Sequence, residues 1–257
     1  MKRDIFLATF SDKATDVINK YGCGMELNEF CISSSLDDGT RQETVAAMKK
    51  EMEQCGVDSP SKALVHGPFT EICPQSIDHL AVEMGLLRLN QAYEGTRALG
   101  LDRLVVHSGF IPLIYFNEWH VQQSVKFWKE FMADKPADFH IYIENVLDEE
   151  PGPLLQIVEE IDDPRVMLCL DIGHANVVTL PDYTVEDWIK IWGSHIGHFH
   201  FHNNDGVTDL HDPLDRGTLN IENVLSTIDR YCDQSATITV ESRECDESIR
   251  WLMEKAV

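Results

Sequence analysis

The chain is expected to fold as a single α/β domain, a (β/α)8 barrel of the TIM type spanning residues 1–257. Three observations lead there. Eight short apolar or β-rich runs alternate with helical segments along the whole sequence, and such alternation builds a parallel sheet with helices packed on it. The length matches the roughly 250 residues of one closed barrel. No G-x-G-x-x-G follows the first run and no P-loop occurs, so the rival fold, an open doubly wound sheet, lacks its usual fingerprint.

The expected strands are Asp4–Thr9, Gly24–Asn28, Ala63–His66, Arg103–His107, Phe139–Glu144, Val166–Asp171, Ile196–His200 and Ala236–Glu241. Helical spacing covers Arg41–Gln54, which Gly56 stops, and Ser76–Leu99, which ends at Gly100. Phe116–Ala133, Pro153–Ile161, Val185–Trp192, Ile221–Tyr231 and Glu247–Lys255 complete the series. Trp119, Trp128, Trp188, Trp192 and Trp251 lie on helical segments and are expected to pack against the barrel wall. No linker, low-complexity stretch or short-period repeat divides the chain.

Composition narrows the function. The net charge of −23, from 21 basic and 44 acidic residues, repels phosphate backbones at long range. Duplex DNA is therefore not an expected partner. No stretch of about 18 apolar residues is available to span a membrane. The run Met1–Thr9 behind Lys2 and Arg3 lacks a long apolar core and an A-x-A-like site, so it reads as a strand and the expected location is the cytoplasm. The seven cysteines form no C-x-x-C pair and are expected to be reduced thiols, with Cys169 a core residue.

The chemistry gathers at strand ends. His66, His107, Glu144, Asp171, His200 and Glu241 end six consecutive strands, and His174 follows Asp171 by three residues. In a parallel barrel these ends share one rim, where active sites are built. The loop NNDGVTDLHDPLDRG then supplies Asp209 and His211, whose i, i+2 spacing points both to one side of an extended chain. Mixed imidazole and carboxylate donors suit Zn2+, Mn2+, Fe2+ or Co2+. A single histidine or carboxylate at a strand end is usually a hydrogen-bonded core residue or a helix cap; six in succession are not. His198, His200 and His202 share one face, so alternation does not choose among them. His79, His120, His140 and His195 read as structural, and Asp148–Glu150 as a solvated loop. No strand-end lysine, G-x-S-x-G or Cys–His pairing suggests Schiff-base or acyl-enzyme chemistry.

HGPF at His66, HSGF at His107, IEN at Ile143, CLDIGHAN at Cys169, the stretch from His200 to Ile221 and VES at Val240 occur in an order and spacing that resemble the xylose isomerase-like barrels, a superfamily that includes endonuclease IV. The resemblance runs from about Ala63 to Glu241. By its endonuclease IV branch it implies a three-zinc cluster: His66, His107 and Glu144 on one ion, Glu144, Asp171, His200 and Glu241 on a second, and His174, Asp209 and His211 on a third. It also selects His200 among the three histidines of its strand. By its single-metal sugar isomerase and epimerase branch it implies one ion on Glu144, Asp171, His200 and Glu241, with His174 touching substrate. This chain departs from endonuclease IV in reading ENVLDEEPGP where that family carries Gly-Gln-Gly after Glu-Asn, and DRG at Asp215–Gly217 where it carries G-E-G. Loops that grip and bend DNA are also short.

Two activities follow. The sequence ranks first a multinuclear, zinc-type phosphoester hydrolase acting on a small phosphodiester or sugar phosphate, because an isomerase with one ion has no use for His66, His107, Asp209 and His211. The alternative is a sugar or sugar-phosphate isomerase or epimerase in which Glu144 and Glu241 pass a proton between adjacent carbons. A non-enzymatic metal-binding barrel comes last. One to three divalent ions are expected, with Zn2+ first and Mn2+, Fe2+ or Co2+ as alternatives; the oligomeric state stays open.

Overall fold

The computed structural model describes residues 3–70 and 72–255. Eight parallel strands close into a barrel in chain order: β1 Ile5–Ala8, β2 Gly24–Leu27, β3 Ala63–His66, β4 Arg103–His107, β5 His140–Glu144, β6 Val166–Asp171, β7 Ile196–Phe201 and β8 Thr237–Val240. β1 pairs with both β2 and β8, which completes the ring. All eight expected strands are present; β1, β2, β5 and β8 are shorter by one or two residues, β3, β4 and β6 match, and β7 is one residue longer.

Among the described residues nine α-helices surround the barrel: α1 Ala14–Tyr21, α2 Arg41–Gln54, α3 His79–Ala98, α4 Asn117–Met132, α5 Gly152–Ile161, α6 Ile172–Val178, α7 Val185–Trp192, α8 Ile221–Tyr231 and α9 Asp246–Lys255. None is long and apolar enough to cross a membrane. Two were not legible in the sequence. Helix α1 starts behind Lys13, which is left-handed and gives no side-chain cap. Helix α6 is seven residues long and lies inside the CLDIGHAN motif. Helix α3 begins three residues later than expected, because Asp78 caps it by accepting from the Leu80 N–H at 3.0 Å.

Strand alternation sorts the core into two layers. Leu7, Met25, Val65, Leu104, Val106, Ile141, Leu168, Phe199 and Val240 face outward into one continuous core with the helices. Phe6, Leu64, Val105, Tyr142 and Cys169 fill the barrel interior as a separate apolar plug. Above that plug the interior turns polar, and this change places the candidate site at the C-terminal mouth.

Two expectations are corrected. Trp128, Trp188 and Trp192 are buried against the barrel, but Trp119 is 41% exposed, and its indole N–H donates to the Gln75 carbonyl at 2.8 Å. Asp148 is not solvated: it is buried and accepts from Ser108 Oγ at 2.6 Å and Val146 N–H at 3.1 Å. The sequence shows only an acidic run there; the turn after β5 folds its first carboxylate inward.

Burial pushes the Asp148 carboxyl up to about 6 despite those hydrogen bonds. The folded state therefore holds its proton more tightly than the unfolded chain does. Stability should fall as pH rises from about 4 to about 6 and stay lower above it. Asp148→Asn removes this dependence. Urea unfolding of both proteins should show the wild type losing roughly 2–3 kcal/mol relative to the variant between pH 4 and pH 7. A pH-independent difference would show that Asp148 is not held in this way.

Candidate metal centre

The strand-end residues do converge. Glu144, at the end of β5, is buried and turns its two oxygens to different partners. Oε2 lies 3.2 Å from His66 Nε2 and 3.4 Å from His107 Nε2. Oε1 lies 3.3 Å from His200 Nδ1. The same Nδ1 is 3.6 Å from Glu241 Oε1 and 3.9 Å from Asp171 Oδ2. Glu144 thus has the geometry of a carboxylate bridging two donor groups. One is His66, His107 and Glu144; the other is Glu144, Asp171 and His200, with Glu241 facing the same nitrogen.

A third group forms beside them. Asp209 Oδ2 lies 3.4 Å from His174 Nε2 and 3.3 Å from His211 Nε2. Asp209 and His211 share one side as their spacing predicts, although the backbone there is not extended: His211 has φ 50°. The loop is held in place by amides. Asn203 Nδ2 donates to the Leu214 carbonyl at 3.0 Å, and Asn204 Nδ2 donates to the Gly173 carbonyl at 2.9 Å.

The three histidines of β7 and its exit part company. His198 lies deepest, hydrogen-bonded to Thr237 and Thr239. Burial pushes its pKa down to about 4, so it is a neutral core residue. His200 meets the carboxylates just described. His202 packs flat on His211, with ring centroids 3.9 Å apart.

Whether these residues suit a divalent ion can be tested on their hydrogen bonds. Asp171 Oδ2 and His200 Nδ1 are buried and have no hydrogen-bond partner among the described residues. Orphans of this kind cost about 1–3 kcal/mol each, and they sit where a cation would be ligated. Asp171 also caps α6, its Oδ1 accepting from the His174 N–H at 2.7 Å. The cap and the candidate ligand are one residue using two oxygens. The histidines are oriented as ligands usually are, one ring nitrogen fixed and the other turned toward the carboxylates. His66, His174 and His211 each donate Nδ1–H to a backbone carbonyl at 2.9 Å. The residues present therefore fit divalent metal.

Electrostatics agree. Burial opposes charge on Glu144, but His200 and His107 face it and hold its carboxyl well below the usual range. Burial opposes charge on His174 too, yet Asp171, Asp209 and Glu144 keep its imidazole well above its ordinary value. Glu241 goes the other way: burial, and then Glu26, Glu144 and Asp171, raise its carboxyl in spite of His200.

Sequence reasoning missed Glu26. It is fully buried on β2, accepts from His200 Nε2 at 3.1 Å, and lies 3.2 Å from His198 Nε2. The available signal was a lone carboxylate in mid-strand, in GMELN, on the inward face. It supplies the carboxylate–histidine contact that fixes a ligating ring.

Above the donors opens a cavity of about 750 Å³, within the range of small-molecule sites. Phe10, Ile32, Phe69, Phe110 and Leu147 line its walls. Arg243 is the one Lys or Arg lining it among the described residues.

Glu26→Gln should keep the fold but weaken metal binding at the His200 centre by about ten- to a hundredfold. Competition against a chromophoric chelator reads this directly. An affinity unchanged within twofold would show that Glu26 does not orient the ligand.

Comparison with known proteins supports this frame. The barrel superimposes on the TTHB071 protein of Thermus thermophilus soaked with ZnCl2, at TM-score 0.74 and 22% identity, covering 99% of this chain and 98% of that one. It superimposes on a D-tagatose 3-epimerase-like protein at TM-score 0.74 and 22% identity, covering 100% and 97%. A D-allulose 3-epimerase from Methylomonas sp. in complex with D-allulose gives TM-score 0.74 at 16% identity, covering 100% and 98%. At these identities the likeness is one of fold. The chain spans just under two thirds of the length of the curated relatives it matches, 66% and 64%. The family profile, by contrast, matches residues 21–255, and the chain belongs to the xylose isomerase-like TIM barrel family.

Proposed function

We propose that the chain is a divalent-metal-dependent isomerase or epimerase of a small sugar. The observation that carries this reading is the pair Glu144 and Glu241. Both face His200 Nδ1, at 3.3 and 3.6 Å, with Asp171 completing the set. Two carboxylates on one centre, beneath a cavity with aromatic walls, suit proton transfer on a carbohydrate held over them. The sugar epimerases that share the fold add support. This reverses the order drawn from sequence alone, which placed phosphoester hydrolysis first.

A bound divalent ion would supply Lewis acidity, polarising a carbonyl and its neighbouring hydroxyl. One carboxylate removes the proton from the carbon beside that carbonyl. In isomerisation the other returns a proton to the adjacent carbon, while the neighbouring hydroxyl proton passes to the former carbonyl oxygen; in epimerisation it returns a proton to the opposite face of the same carbon. Glu144 and Glu241 are the pair that would share the roles of base and acid. His174 orders the site and handles no proton: its Nδ1 is tied to the Asn145 carbonyl and its Nε2 faces Asp209. Phe69 and Phe110 line the cavity and would exclude water from the sugar.

A second reading, multinuclear phosphoester hydrolysis, is favoured by one observation. The His66, His107 and Glu144 group has no task in a reaction that needs one ion.

The test is exchange. The protein loaded with Mn2+ or Co2+ is incubated with D-allulose, D-tagatose or D-fructose in D2O. Deuterium should enter at the carbon flanking the carbonyl. Glu241→Gln should lower that exchange by about 10²–10⁴-fold while retaining metal, since an amide oxygen can still ligate. No exchange on any ketose, with bis(p-nitrophenyl) phosphate hydrolysis rising as further equivalents of Zn2+ are added, would replace this reading with the hydrolase.

A further inference from the structure

The segments that follow β3 and β4 leave much apolar side chain in water. On α3, Leu80, Met84 and Leu87 stand at i, i+4 and i+7, and all three are exposed, as is Ile77 just ahead of the helix. This spacing draws a stripe along one helix face, and here the stripe is turned away from the core. After β4, Leu113, Ile114 and Phe116 are exposed, and Trp119 joins them at the start of α4. The two groups adjoin. The Trp119 indole N–H reaches the Gln75 carbonyl at 2.8 Å, Gln75 Nε2 donates to the Gly109 carbonyl, and α3 packs beside α4.

Leu113 gives the clearest sign. It is 100% exposed, and its φ of 66° lies in the left-handed region, which a leucine adopts only at a cost. It returns nothing to the core of a single chain. We infer that this face is where a second copy of the chain docks, in a two-fold dimer that pairs α3 and the β4–α4 segment with their counterparts. Area carries the choice of partner. These side chains together expose on the order of 1,000 Å², against roughly 300–600 Å² for the largest apolar patch of a typical monomer. A stable dimer needs about 800 Å² from each partner.

Charge points to the same partner. Residues 67–87 and 108–125 contain no Lys or Arg. Helices that lie on membranes set Lys and Arg beside their apolar face to hold headgroups, and an acidic partner would need such cations too. A basic partner would find more carboxylate elsewhere on a chain of −23. An identical apolar face is complementary to this one by symmetry alone. Glu83 and Glu118 precede Met84 and Trp119 in the chain. Their like charges add to the repulsion between two chains of −23, and salt screens that repulsion. Association through this face should therefore tighten as salt rises, whereas an interface built on ion pairs would loosen. Ile111 belongs both to the β4–α4 segment and to the cavity wall, so the face reaches the rim of the cavity. The inference concerns association and does not depend on which reaction the metal centre performs.

Sedimentation velocity on the full chain, over a range of concentrations, is the test. The wild type should sediment as a dimer, at twice the 29.2 kDa of one chain. Its dissociation constant should fall when NaCl is raised from about 0.05 M to about 0.5 M, where the screening length shrinks several-fold. Leu113→Asp and Met84→Glu change side chains that reach water in the single chain, and each should weaken the dimer at least about tenfold. Ile191→Asp, an equally conservative test of an exposed apolar residue on α7, should leave it unchanged. Four results would each overturn the inference: a wild type that stays monomeric at about 100 times a micromolar dissociation constant, a dimer that salt dissociates, both patch variants associating as the wild type does, or a monomer that floats with phosphatidylcholine vesicles. All but the third are read on the wild-type protein, so they stand even if a variant misfolds.

Discussion

Four carboxylates, Glu26, Glu144, Asp171 and Glu241, lie within the mouth of the barrel at 0–4% exposure. Ionised groups removed from water in this way are tolerable only when each is paired or ligated. The rest of the site is arranged around that requirement. Every one of these carboxylates faces at least one imidazole within 4.0 Å, and His66, His174, His198 and His200 among the surrounding imidazoles are aimed by backbone carbonyls or by Glu26. The apolar plug below, from Phe6 to Cys169, keeps water from reaching the cluster through the base of the barrel. Polar chemistry and hydrophobic packing are thus stacked along one axis, each confining the other.

The same arrangement shows what was legible in the sequence. Strand ends were, because period-two alternation and β-branched runs leave a strong local signal and the donors sit at the last residue of each run. The barrel followed from order and length. Glu26 was not legible, because a mid-strand carboxylate gives no sign that it faces a histidine 174 positions away. Asp148 was misread for a related reason: the turn that folds it inward depends on Ser108, on the neighbouring strand end. The choice among His198, His200 and His202 needed the depth of each along the barrel axis, which alternation does not encode. Helix α1 lacked a side-chain cap, and helix α6, though capped by Asp171, is only seven residues long.

The cavity refines the contrast between the two activities. Enzymes that hold phosphate commonly surround it with cationic side chains or helix N-termini. Here the wall is aromatic and aliphatic, with Arg243 at its edge, on a chain that carries −23 overall. Such a wall matches the flat, weakly polar faces of a sugar ring. The acidic exterior discourages polyanions before they reach the mouth. The sequence signal for hydrolysis came entirely from the number of metal-type donors.

The contact between Glu26 on β2 and His200 on β7 also bears on how the molecule comes into being. The donors around His200 run from Glu144 to Glu241 with Glu26 behind them, so no short fragment of the chain contains that set. During synthesis the carboxylates of the early strands emerge without the histidines that will neutralise them. They stay in water until β8 pairs with β1 and closes the ring. Long-range closure of this kind is slow compared with helix formation. Assembly of the donor set around His200 is therefore a late event in folding.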